Sequence, residues 1–551
     1  MKKLSDFIVK KRNLILLVAV LLLIPSVIGY ARTKVNYDLL SYLPQDAESM
    51  IGQKSLSDDF NLASTGMLVV ENMPDKNVSE LKKEIKAIDG VKDVLWRDDV
   101  LDISIPKEIL PKDVREMLYS DKGTLMVITF QEETSSQRTM DAIKTIKGYA
   151  DRECYLGGFS AITEDTKDLM NEETPLYAVT AIILCMIVLF MGLESSIAPF
   201  VFVLGIVFPI VYNFGTNVFL GQISYITKAL ALVLQLGVTM DYSIFLLHAF
   251  TQERATGAEP EQAMANAWRT AFSSIGASGM TTIVGFAAMA LMNFGIGPDM
   301  GFVLAKGIAL SLLTVLLLMP ALILRSQNII AKTQHRPFIP KQGRGIGEFA
   351  YKIRRIVFLV VLIIIIPCYI AQGMANFSYG NEAVANSPGT PVYEAEQQMN
   401  AKFGKSNMMI ALVPPDSNIT EKKMTEEIDD LSYVKYALSL SSVLPEGIPE
   451  DFLPENITSL MHSKNWARVI INVRSAGESD DAFQFSDNIR AIIDKYYPNE
   501  TTYLVGVTPS TQDIKDIIVP DSNRVNIVSL LGVALVIAIT YKALILPIVV
   551  L

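Results

Sequence analysis

The 551-residue chain is half hydrophobic, has a mean hydropathy of +0.33, and carries charge on only 19% of its residues. This balance is unusual for a large soluble protein and predicts a membrane protein with several spanning helices. The net charge of −10, without a basic face or tail, argues against a nucleic-acid partner. The three cysteines have no metal-ligand spacing and argue against a disulfide framework.

Residues 1–30 are predicted to form a short cytosolic N-terminus and a first span. Lys10, Lys11 and Arg12 precede an apolar run over Leu14–Tyr30, and basic flanks favour the cytosolic side. The run is longer than the core of about 7–15 residues in a signal peptide, and no small-residue cleavage site follows it. We therefore expect an uncleaved span.

Residues 31–174 differ in composition and are predicted to form a first extracytoplasmic domain. Strand-like stretches at 66–73 and 123–130 alternate with amphipathic, helix-like stretches at 77–88 and 135–150. This alternation predicts an α/β sandwich of the ferredoxin-like, split β-α-β type.

Residues 175–324 are predicted to hold spans two to six. The apolar blocks lie at roughly 175–193, 196–213, 225–249, 270–293 and 299–324. Residues 325–355 form the most basic stretch and are predicted to be a cytosolic linker, and a seventh span follows at 356–374. Six spans that start from a cytosolic N-terminus return to the cytosol, so the two assignments agree. The sequence contains no Walker A motif, so it does not indicate ATP as an energy source.

Residues 375–524 repeat the α/β pattern as a second extracytoplasmic domain, and 525–551 hold an eighth span and the start of a ninth. The segment 155–169 aligns without a gap on 503–517, so that Asp165 meets Asp513. The repeat is parallel, because both units begin in the cytosol. Since the second unit stops soon after its second span, we expect the chain to be C-terminally truncated relative to a longer parent.

The fourth block contains the sequence GVTMDYSIFLL, in which Asp241 is followed by Tyr242. An ionised Asp at the bilayer centre costs ~2.5–3.5 kcal/mol on insertion scales, and intramembrane acids are usually functional. Burial favours the neutral acid, so such a group can load a proton from one side and release it to the other. The Tyr242 hydroxyl can donate to a carboxylate. We predict a proton relay here; the alternative is an acid held neutral by one hydrogen bond that fixes helix packing only.

Five more residues near this acid are predicted to support the relay or the packing around it. Ser278, Thr281 and Thr282 lie in a fifth span rich in small polar residues, which could line a water path or simply allow close helix approach. Lys306 lies within the sixth span and could pair with an acid or extend to the interface. His248 could pass protons at the cytosolic mouth or be a hydrated residue at a helix end.

The order of one span, one α/β domain and five spans, then the same again, resembles the resistance–nodulation–division (RND) superfamily. GVTMDYSIFLLHAF and DLLSYLPQDAES resemble its MMPL branch of hydrophobe and lipid exporters. The resemblance implies proton-driven export of lipids or other hydrophobic molecules, with protons as the coupling ion and no other cofactor. It also implies that Asp241 and Tyr242 face a matching pair on a tenth span, which has no counterpart among these residues. The short outside domains argue against docking to an outer-membrane channel.

A second hypothesis keeps the fold without vectorial transport: a sterol-sensing-like lipid sensor, or a membrane scaffold that assists protein export as SecD/SecF-type relatives do. We expect no enzymatic activity, because neither a nucleophile–base–acid set nor HExxH is present, and TMDYS matches neither motif of intramembrane aspartyl proteases. The predicted location is the plasma or inner membrane, with the lipid bilayer and a hydrophobic substrate as partners. No feature indicates an oligomeric state.

Overall fold

A computed structural model of the chain describes residues 1–60, 64–99, 115, 118–120, 123–149, 154–335, 344–374, 378–380, 387–415, 417–444 and 455–551. Eight of its helices are long and apolar enough to cross a membrane: Arg12–Arg32, Phe159–Gly192, Ala198–Leu220, Tyr225–Ala255, Pro260–Leu291, Ile296–Lys332, Gly347–Gln372 and Val507–Tyr541. They are called the first to eighth spans below. The prediction of a polytopic α-helical membrane protein is confirmed.

The described residues also form ten strands: β1 Lys34–Asn36, β2 Ser64–Glu71, β3 Val91–Leu95, β4 Gly123–Phe130, β5 Cys154–Gly157, β6 Gln222–Ser224, β7 Asn407–Val413, β8 Val434–Leu438, β9 Ala467–Val473 and β10 Tyr503–Gly506. Strands β2–β5 make an antiparallel sheet in the order β5-β2-β4-β3, and β7–β10 make a second sheet in the order β10-β7-β9-β8. The two sheets therefore share one topology, as expected of a duplicated sequence.

Two helices complete each sheet and give each a β-α-β-β-α-β order. In the first α/β unit they are Asp75–Lys86 and Gln137–Lys147, and in the second they are Asn418–Asp429 and Asp480–Tyr496. Alternate strand residues point toward these helices and form one dry core in each unit. The helix Asp480–Tyr496 begins where Ser479 accepts a hydrogen bond from the backbone N–H of Ala482, at 3.1 Å.

Five predicted domain boundaries fall inside continuous helices, and one of them, at 30/31, lies just before the end of the first span at Arg32. The second and eighth spans begin directly after β5 and β10, so the boundaries at 174/175 and 524/525 lie within them. The composition changes at these points, but the helices continue through them. The two helices begin directly after Gly158 and Gly506, whose φ angles are +92° and +147°. The basic linker is similarly shortened, because Lys and Arg are good helix formers. The sixth span continues to Lys332, and the next helix, Arg344–Gly373, starts before residue 355.

The segment 251–268 contains the end of the fourth span at Ala255 and the beginning of the fifth span at Pro260. Trp268 is buried, and its indole N–H donates to the carbonyl of Leu316 in the sixth span at 2.8 Å. Ile8 of the N-terminal helix Lys2–Lys10 packs in the same cluster. The polar residues of this segment cover only one face of these helix ends, and the other face packs against the bundle.

Each α/β unit contributes one helix to the surface of the other. The helix Glu48–Phe60 packs along β10 of the second unit, and the helix Pro391–Phe403 packs against β5 of the first. The contact is close: a Cβ on Gly52 would collide with Val505 and would lie 2.9 Å from Cβ of Tyr503. Neither helix was predicted from the sequence.

The two helices that each pack on the other unit are called the exchanged helices below. Asp165 and Asp513, which align with each other in the repeat, bind the N-termini of these helices. Oδ2 of Asp165 accepts a hydrogen bond from the N–H of Val392 at 2.6 Å. Oδ2 of Asp513 accepts one from the N–H of Ser49 at 3.0 Å. A carboxylate at a helix N-terminus satisfies an unpaired N–H and complements the helix dipole. The two aspartates therefore hold the two α/β units together reciprocally.

Asp513→Ala is expected to destabilise the contact between the units by ~1 kcal/mol, the usual cost of losing an N-terminal cap. Thermal unfolding can be followed by the fluorescence of Trp466, whose ring lies 5.2 Å from that of Tyr503 in this contact at an angle of 57°. The control is Asp516→Ala, an exposed carboxylate on the same helix. Equal unfolding temperatures for the two variants would contradict the capping role.

Candidate functional site

The fourth span carries the predicted relay residues on different faces. It begins at Ser224, whose hydroxyl accepts from the N–H of Ile226 at 3.2 Å. Asp241 is exposed on the outer surface of the helix bundle. Tyr242 is buried in the bundle core, and its hydroxyl has no hydrogen-bond partner among the described residues. Successive residues lie about 100° apart around a helix, so the carboxyl and the phenol are neighbours in sequence without being joined by a hydrogen bond.

The fifth span places its small polar residues partly on the surface. Ser278 is exposed, and its carbonyl accepts hydrogen bonds from the hydroxyls of Thr281 at 2.7 Å and Thr282 at 3.1 Å. These bonds lie within one helix, and each hydroxyl oxygen keeps acceptor capacity for a further partner. Gly279 meets Leu312 of the sixth span, where a Cβ would approach its side chain to 3.3 Å. The geometry therefore shows helix packing at Gly279, and it leaves the role of the three hydroxyls as a prediction.

His248 and Lys306 differ in their surroundings. His248 is exposed, and its carbonyl accepts from the hydroxyl of Thr251 at 2.9 Å. Nζ of Lys306 donates to Oδ1 of Asn217 at 2.5 Å and to the carbonyl of Asn213 at 3.2 Å, both at the end of the third span. The structure therefore gives Lys306 amide and carbonyl partners rather than an acid.

A polar network that sequence reasoning missed joins the third, fourth and sixth spans. The amide of Asn213 donates to Oε1 of Gln235 at 3.0 Å. The amide of Gln235 donates to the carbonyl of Gly307 at 3.0 Å and to Oγ of Ser311 at 3.1 Å. The hydroxyl of Thr239 donates to Oγ of Ser311 at 2.7 Å. In a membrane such bonds hold helices in register, and the spacing of Gln235 and Thr239 by one helical turn was the available signal.

The first span leads into a tight loop that contains a largely buried acid, Asp38. Oδ1 of Asp38 accepts from the N–H of Leu40 at 2.9 Å. Burial raises the pKa of Asp38 from 3.8 to about 6, against the lowering effect of backbone hydrogen bonds from Leu40 and Ser41; the charge of Glu133 adds to the rise. Asp38 is the first residue of DLLSYLPQDAES, the stretch whose sequence resembles hydrophobe and lipid exporters.

Because of Asp38, the free energy of unfolding is expected to fall as the pH rises from about 4 to about 6. The folded state binds this proton more tightly than the unfolded state does, so its stabilisation is complete below the unfolded pKa and is lost as the pH passes the folded value. Asp38→Asn keeps the acceptor oxygen and removes the charge. Thermal unfolding across this pH range should show a smaller decline for the variant; identical declines would contradict the assignment.

The described residues contain no group of three His, Cys, Asp or Glu side chains that could hold a metal ion.

Comparison with known sequences identifies the family of the chain. The model of the MMPL family matches residues 41–337 and 385–551, which is most of the chain. The chain belongs to the MMPL family. The predicted family resemblance is therefore confirmed, together with the assignment to multi-pass membrane proteins.

Individual MMPL relatives are distant. A putative membrane protein of Methanocaldococcus jannaschii, MJ1562, is 23% identical over 370 residues, which are 60% of this chain and 95% of that protein. The putative membrane protein YdgH of Bacillus subtilis is 28% identical over 297 residues, 50% of this chain and 32% of that protein. The probable transport protein MmpL12 of Mycobacterium tuberculosis is 23% identical over 299 residues, 51% of this chain and 26% of that protein. The matched residues thus span about a third or less of the two bacterial relatives' length.

Proposed function

We propose that this MMPL protein is a membrane transporter driven by the proton-motive force that exports lipids or other hydrophobic or amphiphilic molecules. The observation that carries the proposal is the position of Asp241 on the outer surface of the fourth span. An acid that faces hydrocarbon costs ~2.5–3.5 kcal/mol when ionised and is tolerated when it is protonated or faces a polar partner. Exchange between these two conditions is what a proton-coupled step requires.

In this proposal Asp241 binds and releases the proton, and Tyr242 supplies a hydroxyl once a facing span approaches. The buried phenol has an unused donor, which a carboxylate on a facing span could accept. The neighbouring hydroxyls of Ser278, Thr281 and Thr282 offer acceptor oxygens on the adjacent fifth span. The name of MmpL12, a probable transport protein, supports the same class of activity for its relatives.

We further propose that the two α/β units are ferredoxin-like domains on the extracytoplasmic side. The support is their β-α-β-β-α-β order with antiparallel sheets in the order β5-β2-β4-β3 and β10-β7-β9-β8. The basic residues around the N-terminus of the first span and in 325–355 support a cytosolic location for those segments. A hydrophobic substrate would then leave the bilayer through the region between the two units.

The test uses the full chain in proteoliposomes with an imposed proton gradient. A fluorescent phospholipid and a hydrophobic dye serve as probes, and their movement is followed with and without an ionophore that collapses the gradient. Movement that depends on the gradient supports the proposal. Binding of the phospholipid with no gradient-dependent movement would overturn it and would favour a lipid sensor or scaffold.

A further inference from the structure

A buried carboxylate outside the proposed relay joins the eighth span to the loop between the fifth and sixth spans. Asp521 is fully buried. Its Oδ2 accepts from the N–H groups of Asn293 at 2.6 Å and Phe294 at 3.0 Å, and its Oδ1 accepts from the amide of Asn293 at 3.2 Å. Arg524, half-exposed, lies 3.6 Å from Oδ1. Hydrogen bonds from N–H groups to a carboxylate are strong because they are charge-assisted, so the loop is held firmly to this helix.

The loop that is hydrogen-bonded to Asp521 leads directly into the sixth span. The first turn of the sixth span is in turn hydrogen-bonded to the start of the fourth span. Phe294 and Ile296 pack in one apolar cluster with Ile514 of the eighth-span helix. Oδ2 of Asp299, in the first turn of the sixth span, accepts from the N–H of Ser224 at 2.8 Å and from the hydroxyl of Thr227 at 2.5 Å. Asp521 and Asp299 are therefore successive connections from the eighth span to the beginning of the fourth.

The fourth and sixth spans are joined again further along their length. Gln235 bonds to Gly307 and Ser311, and Thr239 bonds to Ser311. Two helices that are tied at two points move together, because tilting one breaks hydrogen bonds that the membrane interior cannot replace. Thr239 lies just before Asp241 in the chain, so movement of the sixth span moves the relay acid.

The repeat also identifies the residue of the first unit that corresponds to Asp521. The repeat alignment places Glu173 where the second unit has Asp521, and the carboxylate of Glu173 instead accepts from the hydroxyl of Tyr177 on its own helix. Among the described residues, the connection to the fifth–sixth loop is thus made by Asp521 and not by Glu173.

We propose that Asp521 is a positioning residue that couples the eighth span, and the α/β unit above it, to the placement of Asp241. The inference rests on the proposed function, in which Asp241 exchanges a proton. Movement of the second α/β unit tilts the eighth span, shifts the fifth–sixth loop through Asp521, and reorients the sixth and fourth spans as one body. The surroundings of the Asp241 carboxyl group therefore change when the second α/β unit moves.

The test measures how readily Asp241 reacts with dicyclohexylcarbodiimide, which modifies protonated carboxyl groups in apolar surroundings. The full chain in lipid nanodiscs is labelled between about pH 5 and pH 8, and the modified peptide is quantified by mass spectrometry. Asp521→Ala is expected to change the labelling rate of Asp241 by about threefold or more and to displace its pH profile. Asp516→Ala, an exposed carboxylate on the same helix, should label like the wild type.

Thr227→Val tests the same connection at its other end with a nearly isosteric side chain, so it covers the case in which Asp521→Ala fails to fold. It should change the profile in the same direction, and Asp521→Asn, which keeps one acceptor oxygen, should change it less than the alanine variant. Wild-type profiles for folded Asp521→Ala or for Thr227→Val would overturn the coupling and leave the relay standing. A wild-type chain whose Asp241 labelling is absent or independent of pH would overturn the relay, and the coupling with it.

Discussion

Asp241→Asn is expected to reduce gradient-driven export of a hydrophobic probe at least about tenfold, to the level of empty liposomes. An amide has nearly the shape of the neutral acid but cannot release a proton, and a positioned proton-transfer group typically contributes factors of 10² or more. The measurement is probe movement in proteoliposomes with equal amounts of variant and wild type. The loss should be specific to the gradient-dependent part of the signal.

The folding of the Asp241→Asn variant should be unimpaired, because the side chain is exposed at the bundle surface. Its thermal unfolding temperature should match or exceed that of the wild type, since replacing a charge by an amide lowers the cost of contact with hydrocarbon. Ser274→Ala is the matched control, because it removes one exposed hydroxyl from the adjacent span and leaves the acid and the hydroxyls of the proposed relay in place. Wild-type export by Asp241→Asn would contradict the relay directly.

The spans and most of the strands could be predicted because their patterns are local. The stretch predicted as a strand at 123–130 is β4 with the same bounds, and the stretch at 66–73 overlaps most of β2. A fully buried strand is a continuous apolar run, and a span is a longer one, so neither requires knowledge of the partner. This is also why the number of full spans was correct although their ends were not.

The elements that were missed depend on partners distant in sequence. Strands β3 and β8 are short, lie at the edges of their sheets, and show register shifts against their neighbours, so their sequences lack clear alternation. The exchanged helices Glu48–Phe60 and Pro391–Phe403 bury residues against the other unit. Such a face cannot be recognised before the partner surface is known.

The candidate site divides in the same way. Asp241 stands out in the sequence because an acid within an apolar run is costly. The role of Gln235 is seen only in the structure, where its amide donates to the carbonyl of Gly307 at 3.0 Å and to Oγ of Ser311 at 3.1 Å. The alignment of Asp165 with Asp513 was visible from the sequence. Its physical meaning, two reciprocal helix caps, needed both partners in three dimensions.

Gly215→Ala should disrupt the packing of the helix bundle strongly. The first and third spans touch backbone to backbone at this point. A Cβ on Gly215 would collide with the carbonyl oxygen and Cα of Ser26, and a Cβ on Gly29 would collide with the carbonyl of Gly215. Because backbone cannot rotate away as a side chain can, the helices must separate. Overpacking of this kind costs about 1–3 kcal/mol or more.

Separation would also stretch contacts on both sides of the crossing. The hydroxyl of Tyr212 donates to the carbonyl of Ala19 at 2.6 Å, and the rings of Tyr30 and Phe214 meet edge to face at 5.8 Å. In lipid, helix association depends on such packing and hydrogen bonds, since no hydrophobic effect drives one apolar helix against another. We therefore expect Gly215→Ala to lower the thermal unfolding temperature in detergent and to expose the first span to protease.

The control for this prediction is Gly237→Ala, in the fourth span, where nothing lies within 4 Å of the added methyl group. That substitution should be neutral or stabilising, because alanine is favoured over glycine in a helix by about 1 kcal/mol. The two variants make the same chemical change in the same setting and differ only in what the methyl group meets. Equal unfolding temperatures would mean that the first and third spans do not cross at their glycines; a large difference of the expected sign would establish that the close crossing holds the first span, and with it the first α/β unit, to the bundle that carries Asp241.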